Sequence, residues 1–155
     1  MGAVEQFRGA AGALAGLLVT GAVAGMWGWQ GAPLMLIGPM GASAVLLFCL
    51  PSSPLAQPWS ILAGNMLSAV IGVACARAFA DPVVGASLAL FLAIGAMFCL
   101  RCLHPPGGAV AVIAVIGWPH VNTAGYAFAL VPVGAEALLL VLAALIYNNA
   151  TGRRY

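Results

Sequence analysis

The chain has 155 residues, of which 64% are apolar and 5% are charged, and it contains 20 glycines. A soluble domain carries about 25% charged residues and an apolar share near half, so this composition excludes a soluble globular domain. The net charge of +2 comes without lysine or any basic cluster, which excludes an electrostatic interface for nucleic acid. We therefore expect a membrane protein whose main partner is the lipid bilayer.

The first apolar segment covers about residues 9–26 and is predicted to be a long membrane helix. Gly12 and Gly16 follow a small-xxx-small spacing, which lets helices approach closely in lipid. A secretory signal peptide is the alternative, because Arg8 precedes the apolar stretch. Glu5 cancels that charge, so we interpret the segment as a mature helix.

Further along the chain, hydropathy and helix breakers predict more long helices and two short apolar segments. The short segments begin with Pro and Gly, end before a proline, and as helices of about 12 residues cover roughly 18 Å of the ~30 Å hydrocarbon core. The sequence thus predicts an all-α polytopic membrane protein with four long transmembrane helices and two half-helices, in a single domain over residues 1–155. The long segments run over 9–26, 60–80, 83–103 and 127–147, and the short ones over 40–50 and 107–118.

The two short segments resemble each other. Residues 39–45 and 106–112 share Pro, Gly, Ala, Ala and Val at matching positions, which indicates a duplication with repeats at about 9–80 and 83–147. If each repeat crosses three times, the second is upside down, and this inverted 3+3 plan is typical of secondary transporters. Chance similarity is one alternative, and re-entrant segments that do not cross are another.

Each predicted half-helix begins with residues that lack bulk. Unpaired N–H groups and the positive end of a helix dipole would face a ligand there, which suits a small anion. We expect the two motifs to meet near the bilayer midplane; the alternative is that their glycines serve only close helix packing. The predicted substrate-binding residues are Gly41, Ala42 and Ser43 in the first motif, and His104, Gly107, Gly108 and Ala109 in the second.

His104 stands at the entrance of the second half-helix. It is predicted to donate a hydrogen bond or accept a proton near the ligand, and the alternative is that it only orients the following turn. Pro105 and Pro106 stop the preceding helix, because proline has no N–H to donate. These prolines, with Pro39 in the first motif, are interpreted as architectural.

Two charged residues in apolar surroundings are candidates for gating or coupling. Glu136 lies about ten residues into the last long segment, and an intramembrane carboxylate is by default a functional candidate. A later helix start would instead place it near the interface. Arg101 adds positive potential or, alternatively, marks the interface by snorkelling. Arg77 and Asp81 are four residues apart and are expected to form an ion pair.

Enzyme and metal motifs are not found in the sequence, and no cofactor is expected. The pair Cys99 and Cys102 is followed by His104, but haem attachment needs a histidine directly after the second cysteine. The four cysteines lie in apolar stretches, where we interpret them as small packing residues.

Residues 103–109 read Leu-His-Pro-Pro-Gly-Gly-Ala, and together with 38–48 and 51–58 they closely resemble the HPP family of integral membrane proteins. The family is named for its His-Pro-Pro motif. The resemblance implies four transmembrane helices and a link with nitrite transport. Trp59 and Asn65 stand where arginine and histidine are expected in many relatives, so no role of those side chains carries over.

The half-helix motifs predict a transporter or channel for a small inorganic anion bound between the N-termini of the two half-helices, and the family resemblance implies nitrite as the favoured substrate. The alternative is a non-transporting membrane module that packs against or regulates partners. We expect a multi-pass protein of the bacterial inner membrane with both termini cytoplasmic. The glycine-rich helix faces predict a homodimer.

Overall fold

The computed structural model describes residues 2–26, 32–117 and 119–152, and the chain is helical in these ranges without any strand. A short 3-10 turn at Pro54–Ala56 precedes α3, and a π-helical turn at Ala129–Gly134 leads into α7. The helices are Ala3–Met26 (α1), Ala32–Cys49 (α2), Pro58–Ala78 (α3), Pro82–Cys99 (α4), Pro105–Ile116 (α5), Pro119–Ala124 (α6) and Ala135–Ala150 (α7).

Three helices in the described ranges are long and apolar enough to cross a membrane: α3, α4 and the stretch Ala129–Ala150 that ends with α7. They correspond to three of the four predicted long segments. The fourth, 9–26, lies within the 24-residue helix α1, and its role as a transmembrane span stays a prediction.

The near end of the bundle is the end that holds the start of α1, the 50–57 turn and the end of α7. The Tyr147 hydroxyl of α7 donates to the Arg8 carbonyl of α1 over 2.9 Å there. The Trp59 indole at the start of α3 donates over 3.3 Å to the Leu100 carbonyl, just after α4. In the described ranges α1, α2, α3, α4, α5 and α7 therefore alternate in direction along the bundle.

Helix α5 begins part-way along α3 and runs parallel to it. A Cβ placed at Gly107 would lie 3.0 Å from the Gly64 carbonyl oxygen, and one at Gly72 would lie 2.5 Å from the Ala111 carbonyl oxygen. Residues 100–104 therefore lead from the near end into the bundle, and α5 continues to the opposite, far end. The prediction of a second half-helix is confirmed, since α5 has 12 residues and starts at proline.

The first short segment is not a half-helix, which corrects the prediction. Helix α2 starts at Ala32 and continues through Pro39 to Cys49, so Gly41 lies inside a helix of 18 residues. One proline removes one backbone hydrogen bond, and membrane bundles tolerate this because neighbouring groups satisfy the freed carbonyl. The Ser43 hydroxyl lies 2.9 Å from the carbonyl of Pro39 itself, one turn later, whereas the carbonyl that the proline frees belongs to the residue four positions before it.

The last long segment, predicted as one continuous helix over 127–147, contains a break. Val131 has φ −136 and ψ 114, an extended conformation inside the π-helical turn. Pro132 explains it, because a proline ring disfavours helical geometry in the residue before it. Regular helix resumes at Ala135, so Glu136 falls in the first turn of α7.

The small residues of α1 make room for aromatic rings. A Cβ placed at Gly12 would lie 2.5 Å from the Phe48 ring and 2.7 Å from the Tyr147 ring, and one at Gly16 would lie 2.7 Å from Phe48. Phe48 and Tyr147 pack edge to face with their centroids 5.6 Å apart. The glycines therefore let α1 close over the ends of α2 and α7.

The expected ion pair between Arg77 and Asp81 does not form among the described residues. The Asp81 carboxylate instead accepts hydrogen bonds from the backbone N–H groups of Val83 at 2.8 Å and Val84 at 3.1 Å, which makes it the N-cap of α4. The Arg77 guanidinium lies over the ring of Tyr126, with its carbon 4.7 Å from the ring centroid. Helix capping and ring stacking thus replace the pair.

Candidate functional site

His104 joins three parts of the fold. Its side chain is 0% exposed. Nε2 lies 2.8 Å from the Ser43 hydroxyl on α2, and Nδ1 lies 2.9 Å from the Leu55 carbonyl in the 50–57 turn. The two sequence motifs are therefore in contact through Ser43 and His104, and their meeting near the bilayer midplane stays a prediction. We call His104, Ser43 and Leu55 the histidine cluster.

The partners of His104 fix how its protons are arranged. A carbonyl oxygen only accepts, so Nδ1 carries a proton and donates to Leu55. In a neutral imidazole Nε2 then accepts from the Ser43 hydroxyl, whose single proton is no longer available to Pro39. In an imidazolium Nε2 donates to Ser43, and the hydroxyl proton turns to the Pro39 carbonyl. The Ser43 hydroxyl therefore couples the charge of His104 to the backbone of α2.

The 50–57 turn covers the histidine cluster with an internally bonded loop. The Gln57 side-chain amide donates to the carbonyls of Pro51 at 3.3 Å and Ser53 at 3.0 Å. The Ser60 hydroxyl of α3 donates to the Pro54 carbonyl at 3.1 Å. Hydrogen bonds thus fix the turn both to itself and to α3, and we call it the 50–57 cap.

The start of α5 offers few free backbone donors, which corrects the predicted anion site. Pro105 and Pro106 occupy the first two positions and have no N–H. The Gly107 N–H donates to the His104 carbonyl at 2.9 Å. Because Gly41 also lies in a helix interior, the two motifs do not present facing sets of unpaired N–H groups.

The remaining predicted site residues point in different directions. A Cβ at Gly107 would lie 3.0 Å from a carbonyl oxygen of α3, and one at Gly108 would lie 2.9 Å from a leucine methyl of α4, so these glycines serve helix packing. Ala42 and Ala109 are exposed on the surface of the bundle. A Cβ at Gly41 would meet open space.

We expect Gly107→Ala to lower the free energy of unfolding by about 1–3 kcal/mol, because the new methyl group meets backbone and the Ser68 hydroxyl. Gly41→Ala is the control in the other motif, where a Cβ would meet open space, and it should be neutral or stabilising. Unfolding in mixed micelles, followed by tryptophan fluorescence, measures both. Equal stabilities would contradict the packing role of Gly107.

Glu136 is the buried carboxylate of the bundle. It is 5% exposed, and one of its oxygens, Oε1, has no hydrogen-bond partner among the described residues. It borders a cavity of about 460 Å³ between α1, α2 and α7. The other described lining residues are Leu14, Leu17, Leu18, Thr20, Gly21, Ala22 and Met40.

Arg101 lies apart from this cavity, at the near end between α4 and α5. Its side chain is exposed, and its φ of 51 places it in the left-handed region that closes the turn. No ion pair joins Arg101 to Glu136 among the described residues. Exposure at a bundle end agrees with the alternative that Arg101 marks the interface.

Metal-ligating side chains do not cluster in the described part of the chain, where no group of three His, Cys, Asp or Glu could hold an ion. Cys99 is exposed on α4, whereas Cys102 is buried. The two thiols therefore do not face a common site.

Two buried amides were not predicted as functional candidates. Asn65 on α3 and Asn148 on α7 use their NH₂ groups on the carbonyls of Ile61 and Leu47, while each side-chain oxygen is buried without a partner. An asparagine within an apolar helix is the signal that points to such positions. With Glu136, the described interior contains three unpartnered side-chain oxygens, all of which can accept hydrogen bonds.

Comparison with known proteins identifies the family. The family described as HPP, transmembrane region, matches residues 1–155. Two transmembrane proteins of Dictyostelium discoideum are similar to this chain. One is 43% identical over 77% of this chain and 43% of its own length. The other is 40% identical over 78% of this chain and 40% of its own length. The chain thus spans about two fifths of the length of these curated relatives. No solved structure matches it. The chain belongs to the HPP family of transmembrane proteins.

Proposed function

We propose that this chain transports a small inorganic anion, with nitrite as the favoured substrate, and does not convert it chemically. The observation that carries the proposal is Glu136, a buried carboxylate that has one unpartnered oxygen and belongs to a residue bordering a cavity. Buried polar groups in membrane helices are expensive and mark substrate, ion or proton pathways. If this position served packing alone, a leucine would fill it without the cost of burying a carboxylate.

The charge of Glu136 determines which state accepts an anion. Two like charges 4 Å apart repel by about 4 kcal/mol at an effective dielectric constant of 20, so an ionised carboxylate excludes an anion from the cavity. A protonated carboxyl group removes this repulsion and offers an O–H donor. The proposed mechanism is therefore cotransport of one proton with each anion.

The helix directions support an inverted 3+3 repeat, which we include in the proposal. Each helix of the first repeat runs opposite to its counterpart in the second: α1 to α4, α2 to α5, and α3 to α7. Inverted repeats with broken helices at their interface are the plan of many secondary transporters. The start of α1 and the end of α7 share the near end, which supports both termini on one side of the membrane, proposed to be the cytoplasmic side of a bacterial inner membrane. The proposed assembly is a homodimer.

The proposal predicts that Glu136→Gln uncouples the anion from the proton. With the membrane potential clamped at zero, wild-type proteoliposomes should accumulate nitrite about tenfold for each unit of inward acid pH gradient, because each unit is worth 1.4 kcal/mol. The neutral glutamine resembles the protonated carboxyl group, so the variant should equilibrate nitrite without accumulating it. The measurement is nitrite uptake by wild-type and Glu136→Gln proteoliposomes, with uptake by empty liposomes as the background.

Glu5→Gln is the matched control, since it removes the same charge from the exposed start of α1. It should accumulate nitrite like the wild type. Full accumulation by Glu136→Gln would refute the coupling role of this residue. Wild-type uptake equal to that of empty liposomes would refute transport and favour a non-transporting membrane module, to which the close packing at Gly107 and Gly108 also points.

A further inference from the structure

A second cavity lies at the far end of the bundle, about 350 Å³ in volume and distant from the histidine cluster. It sits where the ends of α3 and α5 meet the turn that follows α6. Four of its six described lining residues have apolar side chains, and Arg77 supplies the charge. The described lining residues are Val73, Ala76, Arg77, Ala114, Val121 and Gly125.

The Arg77 guanidinium is held in place by two consecutive residues of that turn. Its carbon lies 4.7 Å from the centroid of the Tyr126 ring, a distance typical of a cation–π contact. Gly125 has φ +55, and a Cβ at this position would lie only 2.5 Å from Nη2. Only a residue without a side chain lets the guanidinium occupy this position. The Tyr126 ring contacts the guanidinium carbon, and no described residue accepts a hydrogen bond from the guanidinium N–H groups.

The positive charge of Arg77 is not neutralised by a carboxylate among the residues that the structure describes. Asp81, the acidic residue nearest in sequence, has its carboxylate engaged by the first amides of α4. A guanidinium presents its N–H donors in a planar fork that matches two oxygens of an oxyanion. Arg77 is exposed at this end of the bundle, so its charge is accessible to an anion from outside the bundle.

We infer that the far-end cavity binds a small oxyanion of the nitrite or carboxylate class through the edge of the Arg77 guanidinium. This inference deepens the proposed function, and its consequence for transport rests on that function. It places a site that recruits the anion at the far end of the bundle, opposite the 50–57 cap. The oxyanion has two sources in a membrane, a dissolved anion or a lipid phosphate.

The test is nitrite binding by the purified protein in a phosphate-free maltoside detergent with gluconate as counter-ion, measured by calorimetry. The wild type should bind nitrite saturably, and Arg77→Gln should abolish the signal. Arg77→Lys keeps the charge but loses the fork, so its affinity should fall by about tenfold, the equivalent of one charge-assisted hydrogen bond. Arg101→Gln, which removes an exposed arginine at the near end, should bind like the wild type.

Unchanged nitrite affinity in Arg77→Gln, or no binding by the wild type to nitrite or to phosphatidic acid added to the micelles, would overturn the inference. Binding of phosphatidic acid alone, abolished in Arg77→Gln, would support the oxyanion site and assign it to a lipid. Size-exclusion profiles of all variants, with Arg77→Lys as the charge-retaining form, exclude loss of binding through unfolding.

The inference and the proposed function fail in different ways. Arg77-dependent nitrite binding without nitrite uptake by wild-type proteoliposomes would refute transport and leave the binding site standing. Nitrite uptake with the same half-saturation concentration in the wild type and Arg77→Gln would support transport and remove the recruitment site. A rise of about tenfold in that concentration, with the maximal rate retained, is the result expected when both hold.

Discussion

His104→Ala is expected to lower the free energy of unfolding by about 3–5 kcal/mol, one of the largest effects of any single substitution in this chain. The change removes a fully buried ring and leaves a cavity. It also leaves the Leu55 carbonyl without its partner, while the Ser43 hydroxyl keeps only the Pro39 carbonyl. Detergent-induced unfolding followed by tryptophan fluorescence, with expression level as a second measurement, would show the loss.

Two milder variants separate the contacts of His104 if the alanine variant does not fold. His104→Asn places an amide N–H where Nδ1 stands and so retains the bond to Leu55, but it is too short to reach Ser43. Ser43→Ala removes only the hydroxyl. Each should cost about 1–2 kcal/mol, less than His104→Ala. Wild-type stability in all three variants would show that the histidine cluster does not hold the near end together.

The start of α5 could be predicted from sequence because its cause is local. Two consecutive prolines remove two N–H groups, and Pro105 holds His104 in an extended conformation with φ −138 and ψ 100. A helix cannot continue through such a pair. The predicted half-helix at 107–118 is therefore found two residues earlier, at Pro105–Ile116.

The same reasoning failed at Pro39, although the two motifs look alike. A single proline costs one backbone hydrogen bond, and neighbouring helices in a bundle satisfy the freed group. Here the surrounding elements that support α2 are distant in sequence, since Ser43 meets His104 across 61 positions. Local sequence could not show that support, so the helix start was placed at the proline.

The side chains of the candidate site could be predicted from the sequence, whereas its backbone groups could not. Ser43 and His104 were both expected at the meeting point of the two motifs, and they are in contact. The Leu55 carbonyl has no signature in sequence, because every residue has a carbonyl group. Pro132, in contrast, was a visible signal of the break before Glu136, since proline inside a long apolar run interrupts a helix.

Gly72→Val is the second substitution with a large expected effect, because α3 and α5 touch backbone to backbone at this glycine. A Cβ there would lie 2.5 Å from the Ala111 carbonyl oxygen and 2.6 Å from the Ala114 Cβ. Neither atom belongs to a flexible side chain, so α5 must move away from α3. Overpacking of a core typically costs 1–3 kcal/mol, and we expect about 3 kcal/mol or more here because both neighbours are rigid.

Gly95→Val provides the matched control for this prediction. It introduces the same β-branched residue into a helix, but a Cβ at Gly95 has nothing within 4 Å and the position is exposed on α4. Its unfolding free energy should stay within about 0.5 kcal/mol of the wild type, as for surface substitutions in general. Because α5 begins at the histidine cluster, displacement of α5 in Gly72→Val should also separate His104 from Ser43. Equal unfolding free energies of Gly72→Val and Gly95→Val would mean that α3 and α5 are not in close contact in the folded protein.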